Sequence, residues 1–358
     1  MIKTLTLTDF RNHCLGRIET LGRKNIIITG PNGSGKTAIL EAVSMLGGDR
    51  GMRGAVMTEI ARFDGSGGFS VFANLQDDTE LAVFFNNGDT NRHAKIDSDN
   101  APLSDLANHL GIIWLTPKED RLFVDSASDR RAFFDRLVSS FDSPHSGRTA
   151  RLAKLLSERA FALKSGADDK WLFALESQIA AISVSIAAAR IRYAAELNYF
   201  LENCAVSVSG QIETFLLNGT AMDAEKKYLE YLGNMRDLQG DKMVIDGAHK
   251  SDFGVFNKLL NLPVHLTSTG QQKSILIDLV LAHSKLVSAK TNKKSIVLLD
   301  EAVAHLDENA RKHLFQELNS VCAQVWATGL TTEIFSGCDD SVFVACKNGE
   351  IFNILAVE

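Results

Sequence analysis

The chain has 358 residues, of which 45% are hydrophobic and 23% charged, and its formal net charge is −6 with a pI near 5.9. This length is enough for two structural units with a large buried core, and the composition is that of an ordinary soluble globular protein. The acidic balance argues against a surface coated with positive charge for nucleic acid. It does not exclude a local basic groove, because phosphate binding depends on where Lys and Arg lie.

The sequence also indicates where the protein is located and whether its cysteines are reduced. No stretch approaches the roughly 18 consecutive apolar residues of a membrane span, and residues 1–7 alternate like a β-strand without a signal-peptide pattern. We therefore expect no contact with a membrane. The cysteines are scattered and odd in number, with no C-x-x-C pair, which predicts a reduced, cytoplasmic protein without a structural zinc site. Each cysteine is expected to be a small buried hydrophobic residue; they are Cys14, Cys204, Cys322, Cys338 and Cys346.

A complete P-loop follows the second predicted strand. Residues 25–29 form a short β-branched strand, and residues 38–43 read as a helix, so the Gly-rich turn between them has the context that nucleotide binding requires. Glycines let successive N–H groups face a phosphate, Lys36 would reach the β- and γ-phosphates of ATP, and Thr37 would ligate Mg²⁺. The candidate phosphate-binding residues are Gly30, Pro31, Asn32, Gly33, Ser34, Gly35, Lys36 and Thr37.

The remaining elements fall into three stretches. Residues 69–75 and 81–85 alternate as an antiparallel meander, and residues 112–115 form a short apolar strand. From about 129 to 240 the pattern is helical, with an a/d seam of fewer than three heptads that favours a small bundle or stub arm; the seam consists of Leu175, Ile179, Ile182, Ile186, Ala189 and Tyr193. The last third predicts a helix over 274–287, buried strands over 295–299 and 321–327, and a terminal hairpin with an Asn-Gly turn.

Asp300 and Glu301 directly follow the buried strand at 295–299, which is the arrangement of a Walker B element. We expect Asp300 to hold Mg²⁺ and Glu301 to act as the general base that polarises the attacking water, with Lys36 as the third catalytic residue. The alternative is an acidic N-cap for the next helix. The long interval between Lys36 and Asp300 indicates an ATPase head that is split by an insertion.

A second subunit is implied by the segment upstream of Walker B. Ser268, Gly270 and Gln271 resemble the ABC signature, in which a helix N-terminus is presented to the γ-phosphate of ATP on another chain, and the alternative is a simple helix cap. Asp307 closes a D-loop segment, Ala304-His305-Leu306-Asp307, where dimer contacts are expected. Thr328 stands where transporter ATPases place a switch histidine.

Together these motifs make the chain similar to the RecF family of SMC/Rad50-like ABC ATPases over nearly its whole length. Its segments at 7–13, 116–120, 129–135, 246–252 and 268–273 resemble the corresponding family motifs. Departures from the family pattern are Ala248 for Pro, Lys250 and Lys273 for Arg, Glu301 for Asp, and Ala304-His305 for Ser-Glu. Each swap keeps charge or position, although Lys loses the bidentate fork of Arg.

The resemblance implies an α/β fold: an ABC-ATPase head, with a P-loop, a mixed sheet and an antiparallel β-subdomain, split by a helical, short coiled-coil-like arm. The expected domains are 1–128 (head, Walker A), 129–240 (arm) and 241–358 (head, signature and Walker B). Arg11 is a candidate nucleotide contact, and a structural role for it is an equal alternative. DNA-contact candidates are Arg130, Arg131, Arg148, Arg151, Lys154, Arg190 and Arg192, each of which is individually more typical of a solvated helix face.

The resemblance also implies a weak, DNA-stimulated ATPase that dimerises on ATP, holds double-stranded DNA at gaps or junctions, and helps RecO and RecR to load RecA. Two other readings are a transporter subunit, which the absent switch histidine and the long insertion oppose, and an SMC/OLD-like ATPase of another DNA process or phage defence. OLD-type proteins normally add a nuclease domain, for which no room remains in the chain.

Overall fold

The computed structural model describes residues 1–48, 51–236, 245–291, 295–303 and 306–354. The chain divides into two compact units: unit 1 comprises Met1–Glu119 and Val287–Glu358, and unit 2 comprises Asp120–Leu286. The domain division at 128/129 and 240/241 stays a prediction, and its second boundary lies outside the described residues.

An antiparallel sheet of six strands forms one part of unit 1. Its alternating burial, for example in Phe69–Leu75, places one face in the core, as the meander pattern predicted. Its strands are β1 (Ile2–Phe10), β2 (His13–Glu19), β4 (Phe69–Leu75), β5 (Glu80–Phe85), β6 (His93–Ile96) and β7 (Asp99–Ala101), in the order β2-β1-β4-β5-β6-β7.

A second six-stranded sheet of unit 1 is parallel except at one edge, where the last strand pairs antiparallel through an Asn348-Gly349 turn. Both turn residues have positive φ, as the predicted hairpin requires. Its strands are β3 (Asn25–Thr29), β8 (Ile112–Leu115), β12 (Ile296–Leu299), β13 (Gln324–Gly329), β14 (Ser341–Lys347) and β15 (Glu350–Ile354), in the order β15-β14-β3-β13-β12-β8. Strand β13 therefore lies between the P-loop strand and the Walker B strand.

The core of unit 1 joins both sheets to one helix, whose described side chains are almost all buried. A helix that is buried on nearly every side needs neighbours all round it, which the two sheets supply here. The helices of this unit are α1 (Lys36–Met45), α2 (Met57–Ile60) and α9 (Glu308–Val321), with short 3₁₀ turns at Leu103–Asn108 and Glu333–Phe335.

Unit 2 is mainly helical, and its core is formed by side chains of four helices. The core includes most of the predicted a/d seam, namely Leu175, Ile179, Ile182 and Ile186. Its helices are α3 (Ala127–Phe141), α4 (His145–Lys164), α5 (Asp169–Tyr199), α6 (Gln211–Leu217), α7 (Ala221–Asn234) and α8 (Thr269–Thr291). The last residues of α8, from Val287 onward, are counted with unit 1. Short 3₁₀ turns lie at Glu119–Arg121 and Val264–Leu266. A small antiparallel sheet completes it, formed by β9 (Cys204–Ser209), β10 (Asp252–Asn257) and β11 (Leu262–Pro263), in the order β11-β10-β9.

Two expectations need correction. The stretch 129–240 is not wholly helical, because β9 interrupts it; Cys204–Ser209 alternates with the period of a strand and pairs with β10. Helix α5 is one helix of the described residues that is long and apolar enough to cross a membrane by composition, with a mean hydropathy of 1.6, but just over half of that window is buried in the protein, as in a core helix, so the expectation of no membrane span is not contradicted. Among the cysteines, which are all free, Cys14 is exposed rather than buried.

Candidate nucleotide site

The P-loop connects β3 to α1 through a turn that only glycine tolerates. Gly33 and Gly35 have φ of 78° and 110°. A Cβ on Gly30 would collide with the carbonyl oxygen of Cys346, and one on Gly35 with the imidazole of His13. The predicted glycines are therefore required by backbone geometry and by close approach.

The turn between β1 and β2 braces this loop from one side. Asn12 Nδ2 donates to the Ser34 carbonyl at 3.1 Å, and the ring nitrogens of His13 lie 3.1 Å from the Gly35 carbonyl and 2.7 Å from that of Gly349. His13 is completely buried. This is a structural role for two residues of the 7–13 segment that sequence reasoning had matched only as a family motif.

Lys36 is 4% exposed, and its Nζ donates to the carbonyl oxygens of Gly30 and Pro31 at 2.7 and 3.1 Å. Its ammonium group therefore lies beside the loop whose N–H groups would receive a phosphate. A buried cation at this point is suited to phosphate oxygens, which carry the charge that would compensate its loss of hydration.

Three side chains from different elements are linked by hydrogen bonds next to the P-loop. Asp300, which is 5% exposed, accepts hydrogen bonds at Oδ1 from the Thr37 hydroxyl at 3.0 Å and from the Thr328 hydroxyl at 2.8 Å. The backbone N–H of Glu301 donates to the Thr328 hydroxyl at 2.9 Å. Thr328, at the end of β13, therefore links both residues of the Walker B pair.

From the sequence, Thr328 is recognisable only as the residue that stands in place of a switch histidine. Its role could have been suspected from its position, because it lies near the end of a buried strand and Asp300 directly follows another. The identity of the neighbouring strand, however, is a property of the sheet order and cannot be seen in the sequence.

Glu301 has a φ of 55°, a left-handed conformation that a non-glycine residue adopts at a cost of order 1 kcal/mol. Its side chain is exposed and lines the cleft above the P-loop. The hydrogen bond from its N–H to Thr328 holds the backbone in this conformation. Glu301 lines the cleft, and its role as general base stays a prediction.

The cleft has a volume of about 510 Å³. Its lining joins the P-loop and Walker B to two further segments, one around Arg11 and one between residues 53 and 63. The residues that line it are Arg11, Asn12, Asn32, Gly33, Gly35, Lys36, Thr37, Ala38, Arg53, Glu59, Ala61, Phe63 and Glu301.

Arg11 lies in this lining but is held by protein groups. Its Nε and one terminal nitrogen donate to the two carboxylate oxygens of the buried Glu41 at 2.8 and 2.6 Å, and the other terminal nitrogen donates to the Glu59 carbonyl at 2.9 Å. This pairing supports the structural alternative for Arg11, and a nucleotide contact stays a prediction.

The residues present fit a magnesium ion that is shared with a nucleotide. Within the described ranges no group of three or more His, Cys, Asp or Glu could hold a metal ion by itself. Thr37 and Asp300 supply one hydroxyl and one carboxylate, so phosphate oxygens and water would have to complete an octahedral shell. This is the usual manner in which Mg²⁺ binds at phosphate sites.

The signature segment belongs to unit 2 and begins α8. Ser268, Gly270 and Gln271 are all exposed, and a Cβ built on Gly270 would meet no described atom within 4 Å apart from its chain neighbours and the backbone of its own helix. The Ser268 hydroxyl accepts from the Gln271 N–H at 3.4 Å, and the Gln271 side chain accepts from the Ser268 N–H at 3.0 Å. This arrangement is a capping box. The segment is therefore both a helix cap and an exposed surface, so the helix-cap alternative does not exclude the signature interpretation.

Asp307 caps α9 by accepting from the Ala310 N–H at 2.9 Å, and its side chain is exposed. Two members of the predicted D-loop, Ala304 and His305, lie outside the described residues. The role of Asp307 in nucleotide binding stays a prediction.

The DNA candidates of unit 2 differ sharply in their surroundings. Arg190 is buried against both carboxylate oxygens of Asp135, and Arg130 pairs in the same way with Asp252, which raises the Arg130 pKa. Arg131 donates to the Ser251 carbonyl, and burial lowers its pKa. The side chains of Lys154 and Arg192 are 68% and 60% exposed, and those of Arg148 and Arg151 contact Asp142 and Gln178. A DNA contact stays a prediction for each of these side chains.

A P-loop and a Walker B aspartate that meet on a largely parallel sheet, in a chain that also contains an antiparallel sheet and a helical unit, define the head of an ABC-type ATPase. The model of the RecF/RecN/SMC N-terminal domain family matches residues 1–352. The chain belongs to this family, and the predicted fold class and family are confirmed.

Similar proteins match this chain over nearly its full length. The chain is 35% identical to a DNA replication and repair protein RecF of Rhizobium leguminosarum bv. trifolii, over 98% of each chain, and 33% identical to one of Brucella suis biovar 1, over 99% of this chain and 96% of the relative. Its fold matches the structure of the recombination mediator protein RecF-ATP with a TM-score of 0.85 at 19% identity, covering 99% of both chains. It also matches an Smc head bound to the C-winged helix domain of ScpA, with a TM-score of 0.54 at 12% identity over 99% and 97%.

Proposed function

We propose that this protein is a DNA-repair ATPase of the RecF type. It binds ATP with Mg²⁺ at the P-loop, pairs head to head with a second copy, and in that state holds double-stranded DNA at gaps or junctions. In this proposal it assists RecA loading together with RecO and RecR, and its slow hydrolysis is stimulated by DNA.

The observation that carries the proposal is the meeting of Thr37 and Asp300, which joins the Walker A and Walker B segments into one centre. Lys36 would bind the phosphates, Thr37 and Asp300 would hold the metal ion, and Glu301 would orient and deprotonate the attacking water. The DNA role is supported by the RecF relatives that match the whole chain.

The dimer is supported by the exposure of Ser268, Gly270 and Gln271 at the start of a long helix. An exposed helix N-terminus can bind an anion through its unpaired N–H groups and its dipole. The γ-phosphate held by a second copy would be such an anion, and Ser268 would then complete the partner's site.

A binding titration tests the DNA role. Gapped, nicked and intact duplexes would be titrated at one stated salt concentration with ATP, with ADP and without nucleotide, since phosphate contacts make affinity depend steeply on salt. We expect ATP to tighten binding to gapped duplex by about tenfold or more. Lys36→Ala should remove that gain, because the contact between the Lys36 ammonium and the phosphates contributes roughly a factor of ten or more to the affinity for ATP.

If ATP leaves the DNA affinity unchanged while the protein still binds ATP, the DNA-repair role is refuted. In that case the SMC/OLD-like alternative would gain support.

A further inference from the structure

We infer that the open edge of β10 binds a single extended segment of another protein, which adds to the sheet as a β-strand and carries a basic residue. The site is a groove in unit 2 with a volume of about 490 Å³. One wall of this peptide groove is residues 123–125, and the other is residues 252–255 of β10 together with Pro263 and His265. It shares no lining residue with the nucleotide cleft.

The edge of β10 is open because β11 is short. Strand β9 pairs with β10 along its whole length on one side. On the other side, within the described residues, β11 pairs with β10 at Phe256 and Asn257 only. After Pro263 the chain enters the 3₁₀ turn Val264–Leu266, so β11 does not continue beside residues 252–255.

The register with β9 shows which backbone groups of β10 face the groove. The Lys258 N–H, just beyond β10, donates to the Asn203 carbonyl at 2.9 Å, on the side of β9. Because backbone groups in an antiparallel strand alternate between its two edges, Gly254 also faces β9. The N–H and carbonyl groups of Phe253 and Val255 therefore face the groove.

The hydrogen bond of the Phe253 N–H agrees with this assignment. It donates to the carboxylate of the preceding Asp252 at 2.8 Å and not to a neighbouring strand. The Val255 N–H and the carbonyls of Phe253 and Val255 remain as a short row of strand-edge groups. Such a row is a template for one more strand, since an extended peptide backbone supplies the complementary donors and acceptors.

Arg130 fixes the width of the groove. Its guanidinium donates to the Asp125 carbonyl at 2.6 Å in one wall and to the two carboxylate oxygens of Asp252 at 2.9 and 2.7 Å in the other. The edge of a whole sheet, as in a second copy of this chain, would bring neighbouring strands into residues 123–125. A lone extended segment avoids that collision, and walls held in place before binding reduce the entropy that binding costs.

The charges of the groove favour a basic segment. The lining carries two carboxylates, Asp125 and Asp252, and one guanidinium, Arg130, which leaves a surplus of one negative charge. Arg121 contacts Asp125 at 3.6 Å, but its side chain is 77% exposed, where an ion pair contributes little. A Lys or Arg of the bound segment would complement this surplus, and the half-exposed Val124 offers contact to an apolar neighbour.

The test uses a display library of random octapeptides, selected on the native chain and measured afterwards by fluorescence polarisation. Val255→Pro removes the N–H that faces the groove and leaves the bonds to β9 in place, as proline does on edge strands, so the chain should fold. We expect it to weaken the selected peptides by about tenfold or more. Asp125→Asn keeps the side-chain shape and should weaken them by about 3- to 10-fold at low salt, and less at high salt.

The selected peptides supply a control that does not depend on the folding of a variant. Methylation of alternate amide nitrogens should reduce affinity for the native chain by about tenfold or more in one register and leave it within about threefold in the other, because the backbone of a strand pairs on alternate sides. Hydrogen exchange should slow in residues 252–257 when a peptide binds.

Three results would overturn the inference. The first is that no octapeptide is enriched on the native chain. The second is that the enriched peptides are acidic rather than basic. The third is that they tolerate amide methylation equally in both registers, or bind a folded Val255→Pro chain as tightly as the native one.

Discussion

Among single residues, Thr328 has the most instructive position. Its hydroxyl donates to Asp300 and accepts from the Glu301 N–H, so one side chain positions both the carboxylate proposed to bind Mg²⁺ and the backbone of the proposed general base. It does not face the cleft, since it is 1% exposed and is not among the lining residues. Its contribution to catalysis should therefore be to position other groups.

Thr328→Val keeps the side-chain shape and removes the hydroxyl. We expect the affinity for ATP to stay within about threefold and kcat to fall by about tenfold or more, because an unpaired buried N–H costs roughly 1–3 kcal/mol and frees the Glu301 backbone. Calorimetric binding and a steady-state phosphate-release assay would separate the two quantities.

Thr328→Ser is the matched control, since it retains the hydroxyl and should recover most of the rate. A Val variant with unchanged kcat, or a Ser variant as slow as the Val variant, would contradict the positioning role.

Among the elements, α5 shows how unit 2 accommodates charge within an apolar helix. Glu176 is completely buried, and its carboxylate accepts from Arg159 at 2.8 Å and from Arg236 at 2.5 Å. Arg159 is itself 1% exposed and also donates to the Leu232 carbonyl. This cluster joins α4, α5 and the end of α7.

Glu176→Ala would leave Arg159 buried without a carboxylate. Removing one partner of a buried pair costs about 3–5 kcal/mol, so we expect the melting temperature of unit 2 to fall by roughly 6 °C or more. Differential scanning calorimetry would measure it. Glu158→Ala, which removes an exposed ion pair with Lys154 on the same helical hairpin, should change stability by less than about 0.5 kcal/mol. Equal effects of the two changes would show that the buried cluster does not stabilise the unit.

The pairing of α5 with α8 predicts a dependence of stability on pH. The Tyr193 hydroxyl and Nδ1 of the fully buried His283 lie 2.8 Å apart, and burial, with Arg136 nearby, lowers the pKa of His283 from 6.5 to about 3. The folded state keeps this imidazole neutral, while the unfolded chain protonates it below pH 6.5. The unfolded state therefore binds more protons between these values, and the free energy of unfolding falls as pH decreases.

We expect this group alone to remove up to about 1.4 kcal/mol of stability per pH unit between pH 6 and pH 4. His283→Gln should be less stable at pH 7 and should show a shallower loss toward acid. Urea unfolding at several pH values would give both slopes, with the exposed His265→Gln as control. A His283→Gln slope equal to that of the native chain would contradict the assignment.

For the whole molecule, the two halves of the proposed ATP site lie in different units, with the P-loop and Walker B in unit 1 and the signature in unit 2. Glu301→Gln should retain ATP binding and lose water activation, so it should accumulate as an ATP-bound dimer. Light scattering in saturating ATP would measure the mass. A monomeric Glu301→Gln variant would contradict the signature-driven dimer.

Ser268→Arg added to Glu301→Gln supplies the matched control. It places a bulky cation at the exposed start of α8, so it should block dimerisation while ATP still binds to the monomer. A double variant that dimerises as fully as Glu301→Gln would show that Ser268 does not lie in the dimer contact.

The sequence alone was sufficient for those features that depend on neighbouring residues. The P-loop, its flanking strand and helix, the meander and the Asn348-Gly349 hairpin are local patterns, and the structure has them in place. The same holds for the order of Walker A, signature and Walker B along the chain. Each follows from residue types whose backbone preferences or periodicity act over a few positions.

The tertiary structure decided what depends on which strands become neighbours. The Thr37–Asp300 contact joins residues 263 positions apart, and Thr328 reaches Asp300 because β13 lies between β3 and β12. Likewise, β9 is a strand because β10 pairs with it, although it follows a long helix. Hydrogen bonds across a sheet are set by strand order and register, and that order results from packing the whole core rather than from any local segment.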